Sequence, residues 1–411
     1  MTTLAPDAPT VEVGDLGTAM GDEARPLPVF AEAVTGFLDD LARLILDDRA
    51  TRAVPDVVAF ASWVRRATRA RDDYPDAAMR VGRGLAFHIA PANVPTMFAY
   101  SLAAGLLAGN ANVVRLPSRP FPEVAHLCDG LSRLLEAPAH RAMRGYVACV
   151  RYPREAVDVT RALSAACDVR VLWGGDATIA DIRRAPLRPD ASELAFPDRQ
   201  SIVLVDADAW NASARKPALA DAFYADVYAS DQASCAAPRA VIWLGKGVEE
   251  ARASFWRCVS EVVAARYDGP ALHAVRRLEF AYALLASGRA AAVLGEREPV
   301  TRVWCDALTP DLLDDHPGGG VFVEGAVRDL RDVAPLLRRR CQTISHLGVA
   351  PDAIAAMIRE SGTRGGHRIV PLGRTMVFSL VWDGHDILRA LSRRLVIEEV
   401  RHGRPARHAV A

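Results

Sequence analysis

Between Val29 and Arg71, apolar residues recur at steps of three and four: Phe37, Leu41, Leu44 and Ile45, then Val57, Phe60, Trp63 and Val64. That spacing is helical and predicts two or three amphipathic helices. The pattern changes at Gly82. Gly82–Ala90 (GRGLAFHIA) reads as a strand and Pro91–Pro95 (PANVP) as a tight turn, and an apolar helix follows from Pro95, where proline suits a first helical position. Gly109 and Asn110 supply the left-handed geometry that ends helices, and ANVVRLP is the next strand. Strand, turn, helix and strand in this order make a βαβ unit, hence a parallel sheet covered on both faces.

The pattern repeats. Leu127–Leu135 is helical, Gly145–Arg151 a strand, Glu155–Cys167 a helix and Val169–Trp173 a strand, after which GGDATIADIRR opens another helix. Gly82 to about Pro197 therefore reads as an open parallel-sheet nucleotide-binding domain. Ser201–Asp208 is a further strand and begins a second α/β block that runs to about Gly373. That block holds a thiol-bearing turn at Cys235, a helix from Val248 to Tyr267 and strands near Val303 and Val321, with His316–Gly320 as a mobile loop. The tail from Arg374 to Glu399 reads strand, turn (Trp382–Gly384), helix, strand. Met1–Pro28 lacks periodicity and is expected to be a loose lead-in, and the basic chain past Arg401 is expected to fray. The expected division is 1–80 for the lead-in and helices packing on the nucleotide-binding domain, 81–200 for that domain, 201–373 for a catalytic α/β domain, and 374–411 for a segment returning to the nucleotide-binding domain or to an oligomer interface.

Composition narrows the class. A chain of 411 residues, 51% hydrophobic and 24% charged, has the material for more than one core. Its formal net charge of zero removes any general electrostatic case for nucleic acid or an anionic membrane surface. None of the seven cysteines forms a Cys-x-x-Cys pair or lies near a histidine at zinc spacing, so neither a disulfide scaffold nor a metal site is expected, and a reducing cytoplasm is. The first two dozen residues are acidic, which argues against a secretory signal there. The longest apolar stretch, Val94–Gly109, is shorter than the ~20 residues of a membrane span.

Four stretches could carry chemistry. Ser230–Arg239 (SDQASCAAPR) presents Cys235 among small residues before the strand-like run Ala240–Leu244; this suits a nucleophile on a rigid scaffold, although free cysteines usually act as small buried hydrophobes. Asn93 sits between prolines at the carboxyl end of a strand, where its amide could stabilise an oxyanion or could cap the following helix. Gly174–Gly175, in WGGD, could let backbone N–H groups face a phosphate, or could simply make a turn. The adjacent Asp176 could cap the helix and would repel a phosphate placed too near. Arg115–Arg119 (RLPSR) could receive an adenine-ribose phosphate, or be a solvated loop. His88, His346 and His367 read as structural histidines, and Cys128, Cys149, Cys167, Cys258, Cys305 and Cys341 as packing residues.

Taken in order, FHIAPANVPTMF, LLAGNANVVRLPS, WGGDATI, FPDRQSIVLVDAD, SDQASCAAP, CQTISHLG and RIVPLGR with WDGHDIL resemble the LuxC-type acyl-CoA reductases, the fatty acyl reductases of bacterial bioluminescence and their relatives. That family is a branch of the aldehyde dehydrogenase superfamily, and the resemblance runs from about Gly82 to Val396. It implies an aldehyde-dehydrogenase-like α/β fold and NADPH-dependent reduction of an acyl-CoA or acyl-carrier-protein thioester to an aldehyde. Cys235 would be the nucleophile, and Asn93 with the Cys235 N–H the oxyanion hole. Ala90, Pro91, Ala92, Asn93, Arg115, Ser118 and the Gly174–Gly175 turn would line the dinucleotide. Arg115 stands where NAD-preferring relatives have a lysine, Ser118 falls near their glutamate, and Arg119 is adjacent, which favours NADPH over NADH. SELAFPDRQS, Ser192–Ser201, lacks the glycines and lysine of the motif that carries the base in acid-forming relatives, and leaves Glu193 in an uncertain register. Gln342 and Thr343 belong to the resemblance without an assigned role; Glu324 could touch the nicotinamide ribose, by analogy with a superfamily glutamate, but is expected to be an exposed structural residue. An acyl-protein synthetase partner and a homo-oligomer are further implications. The rival readings are an acid-forming aldehyde dehydrogenase and an acyl-transfer or scaffolding subunit without reductase activity.

Overall fold

Two largely parallel sheets carry the chain in the computed structural model, which describes residues 8–21, 24–91, 93–295 and 298–398. The first half supplies β1 (Thr10–Gly14), β2 (Arg80–Gly82), β3 (Leu85–Ile89), β4 (Ala111–Arg115), β5 (Val147–Arg151), β6 (Val169–Trp173) and β7 (Ser192–Phe196). The first sheet runs β1-β5-β4-β3-β6-β7, with β1 antiparallel to β5 and the remaining neighbours parallel. Pro197–Arg199 leads out of it into β8 (Gln200–Asp206), which is followed by β9 (Pro238–Leu244), β10 (Ala292–Leu294), β11 (Thr301–Trp304), β12 (Val321–Ala326), β13 (Cys341–Leu347) and β14 (Arg368–Pro371). The second sheet runs β10-β11-β12-β9-β8-β13-β14, with only the β10–β11 pairing antiparallel among the described strands. The tail forms a small ribbon, β15 (Val381–Trp382) with β16 (His385–Asp386), and β17 (Ser392–Arg394) pairs antiparallel with β2.

Continuous apolar runs make the central strands, as burial on both faces requires. β3 is buried at every position, and nine residues of the helix Met97–Leu107 are buried against the first sheet. Gly105 allows that helix to approach closely, because a Cβ there would come within 2.0 Å of Asn112 Oδ1 and 3.0 Å of His88 Nε2. His88 is satisfied by Ser101 Oγ at 2.7 Å and Asn112 Oδ1 at 3.0 Å, and burial pushes it down to about 4, so it is a neutral structural group. The amphipathic helices Glu32–Asp47 and Pro55–Ala67 turn Phe37, Leu41, Ile45, Phe60 and Val64 into the same core.

Several expectations need correction. Much of the supposed loose lead-in is ordered: β1 extends the first sheet, the helix Leu16–Met20 follows, and Leu27 N–H donates to Gly109. Val13, Ala19 and Val29 bury themselves there, and short apolar anchors of this kind leave no periodic trace. Gly82–Ala90 is not one strand, because Gly84, at φ 142°, breaks it between β2 and β3. The helix expected from Pro95 begins at Met97, the turn running on through Thr96. Ala92 and the stretch past Arg401 lie outside the described residues.

Glu324 is also corrected: it is 0% exposed, not on the surface. Its carboxylate accepts from Trp243 Nε1 at 2.9 Å, Trp256 Nε1 at 2.7 Å, and Arg252 Nε at 3.3 Å and Nη2 at 3.1 Å. A buried carboxylate is tolerated only when it is paired and saturated in this way. Replacing Glu324 with leucine strands two indole N–H groups and a buried guanidinium, and should cost about 3–5 kcal/mol. Urea denaturation measures this; a loss below about 1 kcal/mol would show that the network is dispensable.

Candidate functional site

The loop that carries Cys235 joins the helix Lys216–Val227 to β9, and an internal amide holds its shape. Asp231 (φ 51°) and Gln232 (φ 57°) are both left-handed, a conformation that side-chain-bearing residues adopt only when surrounding contacts enforce it. Those contacts are present. The fully buried Gln232 donates from Nε2 to the Pro238 carbonyl at 2.8 Å and the Val321 carbonyl at 3.0 Å, and its Oε1 accepts from Gly320 N–H at 2.9 Å. Asp231 Oδ1 accepts from Tyr267 Oη at 2.9 Å.

His316–Gly320, expected to be mobile, is instead the buttress of this loop. His316 is buried against the Val321 carbonyl at 3.0 Å, and Gly319 N–H donates to the Asp231 carbonyl at 2.8 Å. Gly318, Gly319 and Gly320 are all left-handed, which explains a glycine run without mobility.

Cys235 itself is half-buried. Its carbonyl accepts from Ser201 Oγ at 2.7 Å, and that hydroxyl accepts from Thr343 N–H at 3.2 Å, so β8 and β13 both hold the backbone of Cys235. Its sulfur takes a hydrogen bond from the side chain of Gln342, which is 1% exposed and whose Oε1 has no partner among the described residues. Burial pushes the thiol up to about 11, and the Asp383 carboxylate adds to the rise. The Arg239 guanidinium and the Gln342 hydrogen bond oppose it. Cys235 therefore rests as a thiol.

A cleft of ≈ 1290 Å³ opens in front of this sulfur, and both sheets contribute to its walls. Ala90, Pro91, Asn93, Arg115, Ser118, Arg119, Gly174, Gly175 and Cys235 all line it. Asn93 is exposed and its Nδ2 donates to the Ala233 carbonyl at 3.3 Å, two residues before the thiol. It does not cap the helix, whose N-cap is Thr96. No hydrogen bond engages the Cys235 N–H among the described residues.

Arg115 is half-buried, stacked 4.5 Å from the Tyr152 ring, while Ser118 and Arg119 are exposed on the cleft rim with Arg119 5.4 Å from the Phe121 ring. In front of Gly175 a Cβ would meet nothing within 4 Å, so the backbone there faces open space. Asp176 does not cap its helix; its carboxylate accepts from Asp198 N–H at 3.2 Å and pairs with Arg340 Nη2 at 3.2 Å. The Arg340 charge thus offsets the carboxylate beside the glycine turn.

Glu193 lies away from the thiol. It sits on β7, gripped by Arg170 (Nη2 2.6 Å, Nε 2.9 Å) and Arg183 (Nε 2.7 Å), and the cleft lining does not include it. The described residues hold no His, Cys, Asp and Glu cluster suited to a metal ion, and no helix of theirs is long and apolar enough to cross a membrane.

The contributions of Gln342, Ser201, Gln232 and Asp383 are not visible in the sequence pattern. Gln342 and Ser201 fall in stretches that carry the family resemblance, but there they are polar residues at the head of apolar strands with no role attached. Asp383 is buried in a left-handed turn (φ 50°), with Oδ2 2.9 Å from Arg199 Nε, and nothing local links it to a cysteine 148 positions earlier.

Over residues 32–267 the chain matches the family described as "Acyl-CoA reductase (LuxC)". No curated protein matches it. In structure it is similar to a lactaldehyde dehydrogenase from Escherichia coli, with TM-score 0.65 and 16% identity over 96% of this chain and 96% of that one. A 1-pyrroline-5-carboxylate dehydrogenase from Thermus, solved with bound NAD, gives TM-score 0.61 and 15% identity over 88% of this chain and 80% of that one. An NAD-dependent aldehyde dehydrogenase from Sinorhizobium meliloti gives TM-score 0.60 and 16% identity over 84% and 75%. The fold is aldehyde-dehydrogenase-like.

The thiol environment sets a pH signature. Alkylation of Cys235 by iodoacetamide should rise about tenfold per pH unit through pH 10 without levelling, since only the thiolate reacts. A plateau near the ordinary cysteine value of about 8.5 would contradict the burial argument. Replacing Gln342 with leucine removes a hydrogen bond that favours the thiolate, and should move the titration further up. Peptide mass spectrometry reads both.

Proposed function

As the chain belongs to the LuxC acyl-CoA reductase family, we propose that it reduces an acyl thioester to an aldehyde with NADPH, through a covalent acyl-cysteine at Cys235. The observation that carries this reading is the braced loop that holds Cys235 at the wall of the cleft, bonded to Asn93 through the Ala233 carbonyl.

The cleft residues fit a phosphorylated dinucleotide. Arg115 and Arg119 offer cations and Ser118 a hydroxyl, with no carboxylate between Arg115 and Phe121, and the open face of Gly175 leaves room for a pyrophosphate against backbone. Bound there, the cofactor supplies the hydride that reduces the acyl group.

The chain's own residues do the rest. The Cys235 sulfur attacks the thioester carbonyl, and the thiol proton leaves with the departing CoA or phosphopantetheine sulfur, so the exchange is balanced. The amide of Asn93, released from Ala233, and the Cys235 N–H receive the negative oxygen as the carbonyl becomes tetrahedral. After reduction the same donors hold the oxygen until the carbon–sulfur bond breaks, the aldehyde leaves and the sulfur regains a proton. Gln342 supports the sulfur whenever it carries charge. Tyr100, Met376, Phe378 and Trp382 make an apolar wall suited to the acyl group.

The position of Glu193 argues against the acid-forming reading. A carboxylate held by two arginines on β7 is a poor base and is not among the groups facing the thiol. Glu193 therefore does not activate water, which favours hydride transfer to the acyl group over hydrolysis.

Cys235→Ala should abolish both the acyl adduct, seen by intact mass, and NADPH-dependent aldehyde formation; retained reduction would remove Cys235 from the mechanism. Asn93→Ala should lower kcat by roughly 10²–10³, the range for one oxyanion donor. Initial rates with NADPH should exceed those with NADH by about tenfold, the order of one charge-assisted phosphate contact. Faster turnover with NADH would overturn the cofactor reading.

A further inference from the structure

Beside the Asp176–Arg340 ion pair lies a second recess, ≈ 1020 Å³, which the chemistry above does not use. Arg331, Arg338, Arg339, Arg340 and Arg364 line it against only two carboxylates, Asp314 and Asp315. Arg331 is paired with Asp329, and Arg340 with Asp176 at 3.2 Å and Asp314 at 3.9 Å. Arg338, Arg339 and Arg364 are exposed, and no carboxylate of the described residues pairs with them. Three unneutralised guanidinium groups around one concavity repel one another unless an anion joins them, and planar guanidinium forks match phosphate oxygens.

The recess is tied to the nucleophile by two adjacent strands. Gln200 and Arg340 both line it, and Gln200 N–H donates to the Arg340 carbonyl at 2.8 Å. One step along β8, Ser201 holds the Cys235 carbonyl, and two steps beyond Arg340, Gln342 touches the Cys235 sulfur. At about 3.3 Å per strand residue, the arginine edge begins about 7 Å along β13 from the residue on the thiol. On the other side, Asp176 follows directly on the glycine turn that lines the main cleft.

A ligand that places a thioester at Cys235 and carries several phosphates at its far end would span these two places. The main cleft is assigned to the dinucleotide and the acyl group, which leaves the phosphorylated end of the thioester donor without a place in it. We propose that this arginine recess binds the phosphorylated adenosine diphosphate of CoA, anchoring the donor while its pantetheine arm reaches the thiol. This rests on the acyl-thioester reading given above. A concavity of this volume lined by separate guanidinium groups suits a small polyphosphate.

The test uses adenosine 3′,5′-bisphosphate, titrated calorimetrically into the full-length enzyme saturated with NADPH so that the main cleft is filled. Wild type should bind it, less tightly as salt rises. R338E/R339E should weaken binding roughly a hundredfold, about tenfold for each charge-assisted contact. The variant should also lower kcat/KM for acyl-CoA relative to acyl-pantetheine, which lacks the adenosine phosphates. Unchanged bisphosphate binding in the variant overturns the proposal. So does a variant that loses activity with an acyl-carrier protein while keeping bisphosphate binding, for that would make the recess a protein-docking face. If the enzyme showed no reductase activity yet the variant lost bisphosphate binding, the recess would stand and the reductase reading would fall.

Discussion

The side-chain amide of Gln232 is the constraint on which the site depends. Two consecutive left-handed residues with side chains are unfavourable in any peptide, by about 1–3 kcal/mol each. Here the fold imposes them, because one buried amide satisfies the Pro238 and Val321 carbonyls and the Gly320 N–H together. The loop therefore reverses at a fixed point, and the residues after it deliver Cys235 to the wall of the cleft. The glycine run His316–Gly320 is rigid for the same reason, since it supplies one partner of that amide and another contact to Asp231.

Electrostatics then decide what the delivered sulfur can do. Burial and the Asp383 charge keep it protonated, while Gln342 and Arg239 lower the cost of ionising it. A thiol held this way is inert toward solvent and adventitious oxidants. On the acyl-thioester reading proposed above, it gains nucleophilic character only when its proton has somewhere to go, and a departing thiolate provides that. The gripping of Glu193 by Arg170 and Arg183 has a complementary effect: that carboxylate is committed to holding β7 in register with β6.

Much of this was legible in the chain. The βαβ rhythm from Gly82 onwards, the turn at Asn93 and the thiol loop before an apolar strand are local patterns, and local patterns survive folding. The two-sheet architecture and the gathering of Asn93, Arg115, Ser118, Arg119, Gly174, Gly175 and Cys235 around one cleft follow from them together with the family resemblance. What remained hidden was whatever depends on partners distant in sequence. Glu324 reads as surface until two indoles and an arginine from elsewhere close over it. The strand β1 reads as lead-in because an edge strand of mixed polarity needs only a neighbour to pair with, not a periodic pattern. Gln342 is silent because its meaning comes from β13 lying beside β8, which brings it to a cysteine more than a hundred positions earlier.

The two sheets meet across few polar ties, and their distribution is informative. Asn93 to Ala233 joins them at the thiol, Asp176 to Arg340 at the glycine turn, and Arg199 to Asp383 pins the connecting segment to the tail ribbon. The Asn93 tie is the longest of the three at 3.3 Å and involves an exposed amide, so it is the cheapest to exchange for a substrate oxygen. The Arg199–Asp383 tie, with a fully buried carboxylate, is the costliest to break and holds the frame. The joint is therefore weakest beside the thiol, at Asn93, and firmest at the buried Asp383. Relative motion of the sheets is not required to free the Asn93 amide; a rotation of one asparagine side chain is enough.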